Sequence, residues 1–206
     1  MRARGALLVE CCIGAGAVLL IAAAFFFFLS YAGGSGGKSA EREAEIERVY
    51  EDTLREIEEL EGRTAARGEE AEGEACVFEA FAARTSGDVA ARAAIEFTRS
   101  ADISIDRMFV LGDSEEWEVP IADAKRKISP LEEGNVRERI ELADSDVLPT
   151  LLKVAEYERV SLRFQGDYEG FYARLPEAQL LNIKDALRLY EAYHKAMALE
   201  ELRRTL

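Results

Sequence analysis

Cysteine and histidine are scarce in these 206 residues and basic residues are outnumbered by acids, and each of these shortages removes a class of protein. Lys and Arg number 26 against 40 Asp and Glu, a formal net charge of −14. Nucleic acids and anionic membrane surfaces select basic patches, so neither is an expected partner of the acidic part of the chain. The first 37 residues hold only Arg2, Arg4 and Glu10 as charged groups, so the acid excess is carried entirely by residues 38–206. Of the three cysteines, Cys11 and Cys12 lie in the apolar N-terminal run and Cys76 stands alone beyond it, which excludes a disulfide within the outer region. Flanked by Ala75, Val77 and Phe78, Cys76 reads as a small buried apolar side chain.

With one histidine, His194, the chain offers no Cys/His zinc spacing, and it contains neither a phosphate-binding loop nor a dinucleotide fingerprint. His194 falls on the apolar stripe of a helical pattern, where a packed or edge residue is expected rather than a base or ligand. No nucleophile elbow accompanies it. Two acidic clusters, Asp113-Ser114-Glu115-Glu116 and Asp144-Ser145-Asp146, have the oxygen ligands a hard cation takes, but they lack the glycine and closing Glu of a calcium loop and read as turn residues and helix caps. No catalytic residue, cofactor site or metal site is expected, and an enzyme is the least supported class.

What the chain does have is a long apolar run. Between Cys11 and Leu29 no residue is charged; at about 1.5 Å of rise per residue this stretch reaches about 28 Å, the thickness of a bilayer hydrocarbon core. Only a helix satisfies its own backbone in lipid as a single segment, so residues 6–32 are expected to form a transmembrane helix. Arg2 and Arg4 precede it and an acidic run comes after it, which puts the N-terminus in the cytoplasm and the remainder outside the cell membrane. Ser30-Tyr31-Ala32 has the small residues of a signal-peptidase site, but the apolar run is longer than an ordinary secretory h-region, so a retained single-pass anchor is expected.

Gly33 to Gly37 reads as a flexible linker, residues 33–38. Residues 39–61 then form an amphipathic helix, with Ser39 as its cap and Ile46, Tyr50, Thr53, Ile57 and Leu60 as a narrow seam at steps of four and three. With too few heptads for a sustained coiled coil, that seam is expected to pack within its own chain. Gly62 to Gly73 reads as a polar loop. Residues 74–206 read as one extracytoplasmic domain. Its pattern predicts helices over 74–84 (Val77, Phe78 and Phe81 on one face) and 88–99 (burying Val89, Ala93 and Phe97). A hairpin is expected around Gly112-Asp113-Ser114, a strand at 139–142, and a helix over 147–159 with Pro149 in its first turn. The clearest hairpin joins 160–164 to 171–175, and a long closing helix opened by Pro176 carries the stripe Leu180, Ile183, Leu187, Tyr190, His194 and Met197. Helices and hairpins without regular alternation predict an α+β fold.

The first residues carry a further pattern. Met1-Arg2-Ala3-Arg4-Gly5 followed by Ala6-Leu7-Leu8-Val9-Glu10 resembles the type IV pilin and pseudopilin signal, a short basic leader ending in Gly, then an apolar segment whose fifth residue is Glu. The resemblance covers about thirty residues. It implies a leader of residues 1–5 cut after Gly5 by a prepilin peptidase, Ala6 as the new terminus, and Glu10 pairing with the amine of a like subunit during assembly. Two readings are open, from different classes: a pilin-like structural subunit of a filament or secretion apparatus, and a membrane-tethered binding or sensing domain without catalytic activity.

Overall fold

The computed structural model describes residues 37–70, 76–101, 103–112, 115–166 and 169–206. The apolar run, Gly5, Ala6, Glu10, most of the linker and Asp113-Ser114 lie outside the described residues. Among the described residues no helix is long and apolar enough to cross a membrane, and the fold they form is α+β, with two four-stranded antiparallel sheets and three helices. In chain order the elements are α1 (Gly37–Glu70), β1 (Cys76–Thr85), β2 (Asp88–Ser100), β3 (Arg107–Leu111), β4 (Glu116–Val119), β5 (Lys125–Pro130), a 3-10 turn, β6 (Asn135–Glu141), α2 (Asp144–Ala155), β7 (Ser161–Gln165), β8 (Gly170–Arg174) and α3 (Glu177–Thr205).

The described residues divide into two units, one reaching Leu54 and including Lys195–Leu206, the other Arg55–His194. In the first, α1 and α3 run antiparallel. The Tyr50 hydroxyl donates to Glu200, Arg203 pairs with Glu47 at 2.8 Å and its guanidinium lies 4.4 Å from the Tyr50 ring centroid. Ile46, Ala196 and Leu199 are buried there, and buried Thr53 satisfies its hydroxyl by donating to the Val49 carbonyl one turn back. The expected seam is therefore consumed within the chain.

In the second unit the sheets, ordered β1-β2-β6-β5 and β4-β3-β7-β8, meet face to face. Phe97 of the first sheet sits 4.3 Å, centroid to centroid, from Phe164 and 5.6 Å from Phe171 of the second. Val147, Leu151 and Val154 of α2, and Leu180, Ile183 and Leu187 of α3, join the same core. Farther along α3 the buried positions shift to Leu189, Ala192 and Tyr193, leaving Tyr190 and His194 half-buried. Beside them lie buried Ile57 and Leu60 of α1, with Tyr193 donating to Glu61 and Arg63 3.6 Å from Asp185.

Three expectations are corrected. Residues 74–84 and 88–99 are strands, not helices: β1 and β2 form one long hairpin whose turn is Ser86-Gly87. Val89, Ala93 and Phe97 are buried as expected, but separations of four and eight put residues on one face of a strand as well as of a helix. What decides is Phe81, 43% exposed where a helix would bury it, while Cys76, Phe78 and Ala80 alternate inward. The supposed loop Gly62 to Gly73 is helical as far as Glu70: Arg63 pairs with Glu59 one turn back, and Gly62 and Gly68 each cost only about 1 kcal/mol in a helix. Pro149 is the sixth residue of α2, beyond the first turn. The 108–111/117–119 hairpin and the β7/β8 hairpin form as expected, and α3 spans the closing helix.

Candidate binding face

The outward face of the second sheet is built by register. Phe109 on β3 lies opposite Glu118 on β4 and Arg163 on β7, and Arg163 lies opposite Tyr172 on β8, so Glu118, Phe109, Arg163 and Tyr172 form one row across four strands. Same-face neighbours in adjacent strands are close enough for long side chains to touch. Phe109 is only 6% exposed although it points outward, because the Arg107 and Arg163 guanidinium carbons lie 4.7 and 4.2 Å from its ring centroid and cover it. Arg107 grips Glu118 with two hydrogen bonds of 2.7 Å, and Arg163 pairs with Glu116. These bonds hold the Glu118 carboxyl below its ordinary pKa and push Arg107 up. Tyr172, at 66% the most exposed large apolar side chain among the described residues, ends the row. Tyrosine and arginine are the residue types on which protein interfaces concentrate their binding energy, and here the charges are already neutralised within the face.

Beside this face lies an ionic latch. Lys153 near the end of α2 donates to Glu115 at 2.9 Å and to Glu156 at 2.8 Å, and the Tyr157 hydroxyl donates to Glu115 at 2.9 Å. The hydrogen bonds to Glu115 and Glu156 push the Lys153 pKa up. Burial raises Tyr157, and the bonds from Lys153 and Tyr157 lower Glu115. These bonds fasten Glu115, just before β4, to Lys153 of α2 and to Tyr157 beyond it. The fit is tight: a Cβ on Gly112 would collide with the Tyr157 ring.

A third constellation is buried. Glu138 of β6 is 1% exposed and faces the core, where the Arg99 Nε–H donates to it at 2.6 Å and Arg126 of β5 approaches to 3.4 Å. Arg99 also donates to the Ser100 carbonyl and Arg126 to that of Ile105. Each carboxylate oxygen has a partner, the condition under which an ionised group survives burial.

The residues singled out from sequence are absorbed into local structure. Asp144 and Asp146 occupy the first turn of α2, where carboxylates favour the positive end of the helix dipole. Glu115 and Glu116 are bound in the latch and the Arg163 pair. Among the described residues no three His, Cys, Asp or Glu are grouped to hold a metal. His194 stacks edge-on against Tyr190 at 4.5 Å. Burial pushes the Cys76 thiol up to about 12. The Arg-covered Phe109 row and the buried triad were not anticipated, yet one signal was present. In Val136-Arg137-Glu138-Arg139-Ile140 the alternation puts Glu138 in line with two core positions. No known protein family, curated protein or solved structure matches the chain.

Proposed function

We propose that the chain is a single-pass, membrane-anchored extracytoplasmic protein that works as a tethered binding or sensing module. The observation that carries the choice is the burial of Ile46, Thr53, Ile57 and Leu60: the helix after the Gly33–Gly37 linker spends its apolar seam on its own chain. That leaves interaction to the surface of the β sheets, where Tyr172 and the Arg-covered Phe109 row offer a neutralised, aromatic face. The uncharged run from Cys11 to Leu29, preceded by Arg2 and Arg4, supports the anchor and its orientation.

The pilin-like reading has its own support in Arg4-Gly5 and Glu10. In that case the helix bearing Glu10 assembles with like subunits in the membrane while the outer part decorates the assembly. One experiment separates the two: protease treatment of spheroplasts, with mass spectrometry of the N-terminus of the intact protein. Digestion of residues beyond the linker together with an N-terminus at Met1 is expected for a tether. A start at Ala6, lost in Gly5→Leu, transfers the protein to the pilin-like reading, and full protection from protease until lysis overturns extracytoplasmic placement altogether.

A further inference from the structure

We propose that β8 is a pairing edge whose occupant is β8 of a second copy of this chain, run antiparallel about a two-fold axis at Tyr172, so that two four-stranded sheets join into one. In an antiparallel pair, alternate residues turn their N–H and C=O groups toward the neighbouring strand, and the residues between them turn theirs away. Along the β7–β8 hairpin the Gly166 N–H donates to the Glu169 carbonyl and the Leu175 N–H to the Val160 carbonyl. With Phe164 opposite Phe171 and Leu162 opposite Ala173, that phase commits Phe171, Ala173 and Leu175 to β7. It leaves the backbone groups of Gly170, Tyr172 and Arg174 on the open side, where no further strand of the sheet lies. All three residues are exposed. The other edges carry obstacles to an added strand: Gln179 occupies β1, Lys125, Lys127 and Pro130 stand on β5, and β4 sets out Glu116 and Glu118. On β8 the single charge, Arg174, stands at the end, and the centre is Tyr172.

A second copy fits this edge better than an unrelated strand, because the edge is complementary to itself. With Tyr172 opposite the partner's Tyr172, Gly170 lies opposite the partner's Arg174 and Arg174 opposite the partner's Gly170. The outward N–H and C=O of all three residues are then paired, and no two arginines face each other. Each Arg174 lies instead diagonal to the partner's Tyr172, within reach of its ring. Charge points the same way. A net charge of −14 drives copies apart, yet β7 and β8 contain no Asp or Glu, and Arg163 is already paired with Glu116. Two copies therefore meet along this hairpin without opposing carboxylates. The contact is isologous and closes at two chains, and it carries the Phe109 row on into the partner's row on the same outward face. The pairing goes beyond the tethered-module reading and needs no membrane, so each stands or falls separately.

The test is sedimentation equilibrium of the full chain in a neutral, density-matched detergent over a range of concentrations, with amide hydrogen exchange read residue by residue on the same samples. Wild type is expected to rise from one chain per particle to two and no further. The Tyr172 and Arg174 amides are expected to slow as concentration rises, while those of Phe171 and Ala173 are slow throughout. Salt at about 1 M, where the Debye length is about 3 Å, should leave the pair intact, because backbone bonds hold it. Tyr172→Pro removes the central N–H at an edge position that proline tolerates, and is expected to remain single. A cross-linking arm decides the matter should that variant fail to fold. With Cys11, Cys12 and Cys76 replaced by alanine, Tyr172→Cys is expected to oxidise to a disulfide-linked pair, since opposed residues of a hydrogen-bonded antiparallel pair have Cα atoms about 5.5 Å apart. Arg174→Cys, which lies opposite the partner's Gly170 and not its own copy, is expected to stay unlinked. Single chains at every concentration overturn the proposal and hand the edge to a strand of another protein. So do a pair that dissolves in high salt, a folded Tyr172→Pro variant that pairs like wild type, or equal cross-linking of the two cysteine variants.

Discussion

The two sheets bury different things. The second fills its inner face with Met108, Val110, Leu162 and Phe164, and keeps its arginines outside, where Arg107 and Arg163 cover Phe109. The first places Glu138 and Arg99 inside, on the same face as Ile95 and Ile140, and uses its outer arginines to bridge strands. Edges are handled differently too. The β1 edge is closed by Gln179 of α3, whose carbonyl accepts from the Phe78 N–H at 2.9 Å and whose amide donates to the Cys76 carbonyl at 3.2 Å, so one side chain stands in for a neighbouring strand. The β8 edge of the second sheet carries exposed Tyr172. A sheet that buries ions and borrows a side chain to finish its edge depends on single residues; one that buries only apolar groups spreads its stability over many contacts.

The largest effect that can test this contrast comes from Glu138. Glu138→Ala leaves Arg99, with a side chain only 7% exposed, as an uncompensated buried charge, a loss of about 3–5 kcal/mol by denaturant unfolding. Replacing Arg99, Glu138 and Arg126 together by apolar residues of similar size should recover most of it, because the desolvation cost of the ions disappears with them. If Glu138→Ala costs no more than a surface substitution, about 0.5 kcal/mol or less, the triad is not a buried device and the contrast fails.

Gln179 gives the next step down. Gln179→Ala strands a buried N–H and a buried C=O on β1, which should cost about 1–3 kcal/mol. Tyr172→Ala at the β8 edge removes a mostly solvated side chain and should stay within about 0.5 kcal/mol. Equal losses at the two positions would show that the edges are not different in kind.

How much of this was legible depended on which physical signal each region carries. The second sheet announced itself because turn chemistry is local: Gly112 and Gly166 mark the hairpins, and a Cβ at Gly166 would collide with the Ser104 carbonyl oxygen. The α+β class, the α1 seam and the buried Leu180, Ile183 and Leu187 came from periodicity. The first sheet did not. In β1 and β2 alanine, a helix former, recurs throughout, and Ala80 faces Ala93, Ala82 faces Ala91 and Ala83 faces Ala90 across the hairpin. Long-range pairing overrode local propensity there, as it often does for strands. The bonds of Gln179 to Cys76 and Phe78 join residues more than a hundred positions apart, which no window along the chain can connect. The Arg107–Phe109–Arg163 stack likewise needs a strand register before it can be seen.

The smallest effect belongs to the latch, which lies outside the core of both sheets. Glu115 has a folded pKa held below its usual value by the bonds from Lys153 and Tyr157, so its contribution is present above the ordinary carboxylate pKa, about 4.3, and is lost as pH falls through the lowered value. Lys153 has a raised pKa, so its contribution is complete below the ordinary lysine value, about 10.4, and is lost only in stronger alkali. The two conditions overlap from about pH 5 to 9, and there the difference in Tm between wild type and Glu115→Gln should be constant. As pH falls from about 4.3 through the lowered value the difference should close, because wild type then loses the same carboxylate that the variant lacks. High salt should shrink the difference at neutral pH, since Glu115 is exposed and its attraction to Lys153 is screened. A difference that persists undiminished in acid would mean that Glu115 acts through packing against Tyr157, and the β3–β4 turn would then be held by shape alone.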